Sequence, residues 1–427
     1  MTNYLPQDSG ELSLWGKTAV APVDTGALAE TLEVDVLVVG AGFTGLSTAL
    51  HLAEQDISVA VLESRSVGFG GSGRNAGLVN AGVWQTPDYV VEQLGEEAGN
   101  RFNQALYHSP EVVFELIDRY QISCQASRQG TINIAHSASA VKYLQNRCRQ
   151  LQKLGAETQF IDGDKSAAMS GSSHYRHGGI LDPNAGTIQP LSYVRGLARA
   201  AIGQGAQLFQ NTPLVSLDRV DNHWLARTPD GEVSAEKVVL ATNAYADENS
   251  QGVRDTTQPM FLFHCATEPL AEDVAASIIP ERQGLWDTQL LLTSSRIDED
   301  GRLVMCSAGS LHGVASSIRK KWIKRLRDRL YPQAKAVPWA YHWCGQIGIT
   351  SNKLLKIQLL APGLYAPAGY NGRGIGPGTV IGKHLANTLI SGNRNEFPFP
   401  VEALHREKWR KIRGMYYEYG TLALQFL

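Results

Sequence analysis

The chain has 427 residues, 19% of them charged, with 39 basic side chains against 41 acidic. That balance excludes a generally basic nucleic-acid binder and an acidic disordered tail, and a hydrophobic content of 43% excludes wholesale disorder. The length supports a large buried core, most simply as two domains; the 42 glycines lack the every-third spacing of collagen, so their positions carry the information.

In chain order, residues 1–30, with Pro6, Pro22 and Gly26, read as an arm. Order begins with the apolar run Val34–Val39, which leads directly into Gly40-Ala41-Gly42-Phe43-Thr44-Gly45. Leu46, Ala49, Leu50 and Ala53 then share one helical stripe, and a second strand, Ile57–Leu62, ends at Glu63. Strand, glycine turn, helix, strand and acid make a complete βαβ unit. Gly68–Gly82 is glycine-dense again, and helical spacing spans Phe102–Tyr120 and Ala140–Leu154. After a turn at Asp182-Pro183-Asn184 comes a helix, Leu191–Ala201. Strands are expected at Leu214–Arg219, Trp224–Thr228 and, after the Asp230-Gly231 turn, Lys237–Ala241. From Pro259 to about Gly345 the pattern is mainly of β type, at Met260–Thr267, Leu290–Ser295 and Arg302–Ser307, around a helix at Ser317–Leu330. A glycine-rich stretch, Gly363–Gly382, precedes a last helix of the first domain at His384–Ile390.

Five cysteines, Cys124, Cys148, Cys265, Cys306 and Cys344, form no CxxC or CxxH pair. The expectation is a reducing, cytoplasmic setting with packed thiols and no metal site. The first residues show no basic patch followed by an apolar run, and no apolar stretch reaches the roughly 18 residues of a membrane helix. Neither a secretory signal nor a transmembrane segment is expected.

The first glycine turn has the physical parts of a dinucleotide site. Gly40 makes the tight turn, Gly42 admits a pyrophosphate to the backbone, Gly45 lets helix and sheet pack closely, and the helix amides face the phosphate charge. Glu63 stands where a carboxylate accepts both ribose hydroxyls of an adenosine and repels a 2′-phosphate, which disfavours NADP. Three later stretches narrow the choice of cofactor: Gly68-Phe69-Gly70-Gly71-Ser72-Gly73-Arg74-Asn75-Ala76-Gly77, the strand Lys237–Ala241 with Thr242-Asn243-Ala244, and Gly369-Tyr370-Asn371-Gly372-Arg373-Gly374-Ile375-Gly376-Pro377-Gly378. With these, the chain resembles the D-amino-acid oxidase-like FAD-dependent oxidoreductases, which include glycine and sarcosine oxidases. Within that group it looks most like gamma-glutamylputrescine oxidoreductases and related bacterial amine oxidoreductases, over residues Leu12 to Phe399.

The resemblance implies an α/β plus α+β fold, a Rossmann-like FAD-binding domain with an inserted mixed-sheet substrate domain. The division expected is an arm (1–30), the first part of the FAD domain (31–90), helical and substrate-domain elements (91–175), mainly FAD domain (176–257), mainly substrate domain (258–345), the final part of the FAD domain (346–400) and a C-terminal tail (401–427). By resemblance, Gly40, Gly42, Phe43, Thr44, Gly45, Glu63, Ser64 and Arg65 would hold the adenosine diphosphate half of FAD. Ser72, Gly73, Arg74, Asn75 and Ala76 would run beside the isoalloxazine and pyrophosphate. Val215 would face the adenine side, and Ala241 and Thr242 the pyrophosphate. Gly372, Arg373, Gly374, Ile375 and Gly376 would approach the flavin pyrimidine ring, where backbone N–H groups stabilise charge near N1. The implied reaction is oxidation of a C–N bond by hydride transfer to flavin N5, with hydrolysis of the imine. The implied partners are a small amine and oxygen or a quinone as electron acceptor, with no nucleic acid, in a monomer or homodimer.

The chain departs from the pattern in several places. Where members with covalent flavin carry a cysteine, this sequence has Ile347, so FAD is expected to be non-covalent. Gly376 replaces the lysine that clamps a substrate carboxylate in sarcosine oxidase-like members. Leu292-Thr293-Ser294-Ser295-Arg296 lacks their oxygen-activating lysine, and Thr350–Leu355 replaces a Thr-Pro-Asp loop. Arg74, Tyr370 and Arg373 are the catalytic candidates. Arg74 suits either substrate or flavin orientation or a loop-holding salt bridge, Arg373 has the same two readings, and Tyr370 sits inside the flavin-facing stretch. A carboxylate clamp from Arg74, Arg296 or Arg373 would favour an N-methyl or D-amino acid over a putrescine-like amine. Trp286, Tyr341, His342 and Trp343 fit either an apolar amine chamber or core packing. The basic run Arg319–Arg329 reads as the solvated face of an amphipathic helix, with peripheral membrane or redox-partner contact as the alternative. Arg406–Arg413 and the aromatic C-terminus read as a packing tail or subunit contact. A flavin-binding protein with a structural or partner-binding role is the alternative of a different class.

Overall fold

The computed structural model describes residues 13–426; the expectations for residues 1–12 lie outside that range. Two large sheets organise the chain. At the centre of the first, Thr31–Val39 runs parallel to Glu232–Leu240 on one side and to Val59–Leu62 on the other. Gln207–Phe209 extends it beyond Val59–Leu62, and Leu364–Ala368 adds a parallel strand beyond Glu232–Leu240. Val36, Val38, Val59 and Val61 are buried toward the helices of one face, and Leu37, Val39, Ala60 and Leu62 toward the other, as expected for a sheet covered on both sides. The antiparallel ribbon Ser216–Val220 and His223–Arg227 pairs onto the outer half of Glu232–Leu240.

The second sheet has eight strands, all antiparallel pairs except Thr131–Ile134 beside Gly284–Asp287. Its two faces separate by the two-residue alternation of strands. Phe263, Cys265, Leu303 and Met305 pack against Ile323, Leu326 and Leu330 of the helix Gly313–Leu330. The opposite face turns toward the first sheet. The fold is thus a Rossmann-like α/β region with an inserted mixed-sheet domain.

Local chemistry accounts for several differences from the sequence reading. Phe102–Tyr120 is two helices, Glu96–Tyr107 and Ser109–Arg119, because Pro110 has no N–H for the preceding turn and occupies the first turn of the second helix. Leu290–Ser295 becomes strand only at Ser294–Ile297. The preceding residues wrap around the buried carboxylate of Asp287, which accepts the N–H groups of Gln289 and Thr293, both at 3.1 Å, and the Tyr175 hydroxyl, also at 3.1 Å. The last helix of the first region starts at Ile375, well before His384, with Pro377 in its first turn. Within the basic run, Lys320, Lys321, Lys324 and Arg325 are solvated, whereas Arg319 and Arg327 are buried. Arg319 pairs with Glu418 at 2.6 Å and bonds Gln425 at 3.0 Å, which pins the C-terminal helix Arg410–Phe426. Ile412, Tyr416 and Tyr419 of this helix, and Trp409 just before it, are exposed.

One crossing joins the two ends of the chain. Helix Phe43–Ala53 packs against helix Ile375–Ser391 so closely that a Cβ on Gly382 would stand 2.5 Å from the Ser47 Cβ. The Ser47 hydroxyl donates to the Thr379 carbonyl at 2.6 Å across the same contact. Replacing Gly382 with valine should lower unfolding stability by about 2–3 kcal/mol, read as a lower urea midpoint with an unchanged slope; an unchanged midpoint would contradict this packing.

Candidate active site

Both helices of that crossing begin at one long cavity, and neither has a side-chain cap: Gly42 opens the first and Gly374 the second. The first-turn N–H groups of a helix have no partners within the helix, so two uncapped starts present donors and positive dipole ends to the same space. Gly45 cannot carry a side chain, since its Cβ would fall 2.0 Å from the Gly40 carbonyl oxygen. Gly376 is also tight, its Cβ position lying 2.5 Å from the Ser109 hydroxyl and 3.0 Å from the Ser109 Cβ, so a side chain there would have to displace Ser109.

At the far end of the cavity, Glu63 accepts the Ala41 N–H at 2.8 Å and the Arg65 N–H at 3.0 Å. Burial pushes its carboxyl up, and those backbone donors pull it back. Two carboxylate oxygens offer about four acceptor sites, so acceptor capacity remains for ribose hydroxyls. Ser64 and Arg65 line this end with it. Close by, the Ser72 hydroxyl accepts the Phe43 N–H at 3.0 Å, which partners one donor of that first turn. Thr242 lines the cavity with a buried hydroxyl that has no partner among the described residues, and Ala241 lies beside it.

The structure brings most of the expected residues together. Gly40, Gly42, Phe43, Thr44, Glu63, Ser64, Arg65, Ser72, Arg74, Asn75, Ala76, Ala241, Thr242, Tyr370, Gly372, Arg373, Gly374, Ile375 and Gly376 all line the cavity. Gly45 and Gly73 lie just behind it in close packing. Val215 does not line it: it is half exposed and its N–H bonds the Arg227 carbonyl, while Thr212 and Leu214 line the cavity instead. A one-residue shift turns a side chain to the other face of an extended segment.

The three arginines proposed as clamps separate clearly. Arg74 Nε donates to the Phe69 carbonyl at 2.7 Å and its guanidinium lies over the Phe69 ring, so it helps to hold the glycine loop. Arg296 Nη1 donates to the Ile188 carbonyl at 2.6 Å, away from the cavity lining. Arg373 does line the cavity, in a corner formed by Trp84 and Trp286. The Tyr370 hydroxyl is bound to the Thr44 hydroxyl at 2.6 Å, joining the two glycine stretches. Cys344 is packed outside the lining, and Ile347 lines it.

The inserted sheet supplies the opposite wall, and of the row that forms it only Trp286 was a candidate from the sequence. His264, Cys306, Ser294 and Trp286 are successive partners in one cross-strand row, and all four face the cavity. Only the register reveals this row, since its members are spread over four strands. Asn80, Trp84, Tyr245 and Gln346 also line the cavity from segments with no motif. His264 stacks on Trp343 with ring centroids 5.1 Å apart, and burial pushes its pKa down to about 3. Of the aromatic candidates, Trp286 lines the cavity, whereas Tyr341, His342 and Trp343 do not.

An uncapped pair of helix starts, a ribose-facing acid and a cleft between a Rossmann-like region and a mixed-sheet domain define a dinucleotide-dependent oxidoreductase. Residues 35–388 match the family described as FAD dependent oxidoreductase, and the chain belongs to it. It is 32% identical over 372 residues to the Probable oxidoreductase OrdL of Haemophilus influenzae, covering 85% of this chain and 84% of that one. It is 29% identical over 409 residues to the Gamma-glutamylputrescine oxidoreductase of Escherichia coli, covering 93% and 94%. Among solved structures, glycine oxidase from Geobacillus kaustophilus superposes with a TM-score of 0.70 at 20% identity, over 88% of this chain and 99% of that one. L-proline dehydrogenase from P. horikoshii gives 0.70 at 17% identity, over 91% and 97%. The chain is an FAD-dependent oxidoreductase that acts on a C–N bond, and the glycine-lined cleft with its uncapped helix starts fits FAD. Among the described residues no helix is long and apolar enough to cross a membrane, and no cluster of side chains is arranged to hold a metal ion.

His264 yields a pH prediction. Its folded pKa lies below the ordinary value near 6.5, so as pH falls below that value the unfolded chain takes up a proton that the folded chain refuses, and stability is lost. His264→Gln should flatten the acid limb of stability between about pH 6.5 and 4, measured by denaturant midpoints; a limb as steep as in the wild type would contradict a buried neutral imidazole.

Proposed function

We propose that this protein oxidises the C–N bond of a small amine of the gamma-glutamylputrescine type, and that the cavity facing the inserted sheet is its substrate chamber. The observation that carries the reading is the chamber wall: Leu262, Trp286, Leu292 and Ile347 are apolar, and Arg373 brings a guanidinium to its Trp84–Trp286 corner. Bound FAD would supply the two-electron acceptor, taking hydride at N5 and leaving an imine for water to hydrolyse.

The chain's own residues prepare the amine. Hydride leaves readily only from a carbon bearing a neutral amine. Apolar walls penalise an ammonium by desolvation, and the nearby Arg373 cation penalises it by repulsion. Both effects favour the reactive free base at neutral pH. His264, held neutral by burial, adds a polar contact without a second charge. Gly42, Thr44, Ser72 and Thr242 would hold the pyrophosphate side, and the Gly374–Gly376 helix start would face the flavin pyrimidine ring, where its dipole stabilises negative charge. Ile347 in the lining and Cys344 outside it support non-covalent FAD.

The similarity to the Escherichia coli gamma-glutamylputrescine enzyme over nearly the full length of both chains supports this substrate class. A second reading, oxidation of an N-methyl or D-amino acid, draws on Arg373 as a carboxylate partner. The acceptor is oxygen or a quinone; the strand bearing Ser294 offers no lysine toward the chamber, and Arg296 lies outside the lining with Nη1 donating to the Ile188 carbonyl. Five buried thiols support a reducing, cytoplasmic setting.

Anaerobic mixing of the FAD-loaded protein with gamma-glutamyl amines, free diamines, sarcosine and D-amino acids, followed at the flavin absorbance, tests the reading. Bleaching by a gamma-glutamyl amine is expected, and reoxidation by air or by a quinone assigns the acceptor. Bleaching by an alcohol alone would overturn C–N oxidation, and a flavin that no C–N substrate bleaches would favour a partner-binding role.

A further inference from the structure

The C-terminal helix Arg410–Phe426 packs with its two sides reversed. A surface helix ordinarily buries its apolar stripe and wets its polar one. Here the side turned to the protein is Gly414, Glu418, Thr421 and Gln425, which recur at helical spacing. A Cβ on Gly414 would lie 3.2 Å from the Pro259 side chain. Glu418 and Gln425 hold Arg319, whose Nη2 also donates to the Thr421 hydroxyl at 3.2 Å. Gln425 Nε2 donates onward to the Ala308 carbonyl at 2.8 Å. The polar side of the helix is thus spent on the body of the protein.

The apolar side faces outward. Ile412, Tyr416, Tyr419, Ala423 and Phe426 repeat the same spacing on the opposite face, with Met415 beside them, and all six are exposed. Tyr416 is 74% exposed and Phe426 71%, so no other part of the described chain covers the stripe. Trp409, just before the helix, is 70% exposed. Scattered apolar side chains on a surface are ordinary, but a continuous row of them marks a face that meets something.

The charge around the stripe has one sign. Lys411 and Arg413 fall on its two flanks, and Arg406 and Lys408 precede it, all four exposed. The two acids of this segment are turned inward. Glu418 pairs with Arg319, and Glu407 is buried, accepting the Ser351 N–H and the Gln258 amide, both at 2.9 Å. On the adjoining helix Gly313–Leu330, Arg325 Nη2 donates to the Gln425 carbonyl at 3.2 Å, and Lys320, Lys321 and Lys324 are exposed. That helix has no apolar side to offer, because Ile323, Leu326 and Leu330 are buried against the inserted sheet. The apolar row and the basic rim come together at the C-terminal helix.

We propose that the outer face of helix Arg410–Phe426 docks on an anionic lipid surface, lying flat with its tyrosines and Trp409 at headgroup depth. Aromatic rings and basic side chains on one face suit the boundary between water and lipid, where the apolar row leaves water and each cation meets negative potential. A second copy of the chain fits less well. A two-fold contact would set this patch against itself, and its basic rim would then face the same basic rim at a cost in repulsion. The proposal goes beyond the reaction proposed above and does not rest on it.

The test is flotation of the full-length, FAD-loaded protein with lipid vesicles, which needs neither substrate nor turnover. Vesicles of phosphatidylethanolamine and phosphatidylglycerol should carry the protein, and vesicles of phosphatidylcholine alone should bind it roughly tenfold more weakly. Lys408→Gln combined with Lys411→Gln should weaken binding roughly 10- to 30-fold. Tyr416→Gln combined with Tyr419→Gln should weaken it roughly tenfold, with flavin retained in both pairs. A wild type that does not float, equal binding to the two kinds of vesicle, or unchanged binding in either pair would overturn the proposal. A wild-type dimer in sedimentation velocity that the tyrosine pair converts to monomer would also overturn it, assigning the face to a second copy. Should the tyrosine pair fail to fold, Trp409→Phe decides. The anionic vesicles made with brominated acyl chains should quench wild-type tryptophan fluorescence more than that of the phenylalanine variant, and equal quenching would overturn the proposal.

Discussion

The near contact of two helices, Phe43–Ala53 and Ile375–Ser391, governs the rest of the molecule. Glycine at 382 and small hydroxyl residues at 44, 47 and 379 let their backbones approach until side-chain atoms of one meet carbonyls of the other. The Thr44–Tyr370 hydrogen bond ties the loop ahead of the second helix to the start of the first. Segments more than three hundred residues apart thereby open their uncapped N-termini onto one cavity. A bulkier residue at the crossing would separate the two starts and divide the site.

The inserted sheet answers this arrangement with an ordered wall. Alternation sends Phe263 and Cys265 into the core beneath the sheet and leaves His264 facing the cavity, and hydrogen-bonded register carries that orientation through Cys306, Ser294 and Trp286 to Asn133. The wall is apolar or uncharged along its length, and the charge at this end comes from the glycine stretch opposite, through Arg373. One domain thus sets the cofactor geometry, and the contact between the domains sets the electrostatics seen by an amine.

The legible parts of the sequence were the local ones. Strand, turn, helix and acid from Val34 to Glu63 declare themselves because each glycine acts within a few residues of its neighbours, and nearly every cofactor-facing residue read from the glycine stretches lines the cavity. The start of the second helix was obscured because Gly376, Pro377 and Gly378 look like a loop, although proline is well suited to a first helical turn. The break at His108 was hidden by apolar spacing that continues across it. Trp84 and His264 carry no motif, since register and chain crossing alone bring them to the site. Arg373 was visible as a candidate but indistinguishable from Arg74 and Arg296 until each guanidinium could be followed to its partners. Val215 sits beside Leu214, which lines the cavity, and in an extended segment one residue decides which side chain turns toward that space.

A crystal structure of the FAD-loaded protein would test the central claim most directly. The account predicts the pyrophosphate at the Gly42 helix start and the flavin pyrimidine ring at the Gly374–Gly376 helix start. A flavin ring that does not meet the second helix start would contradict it.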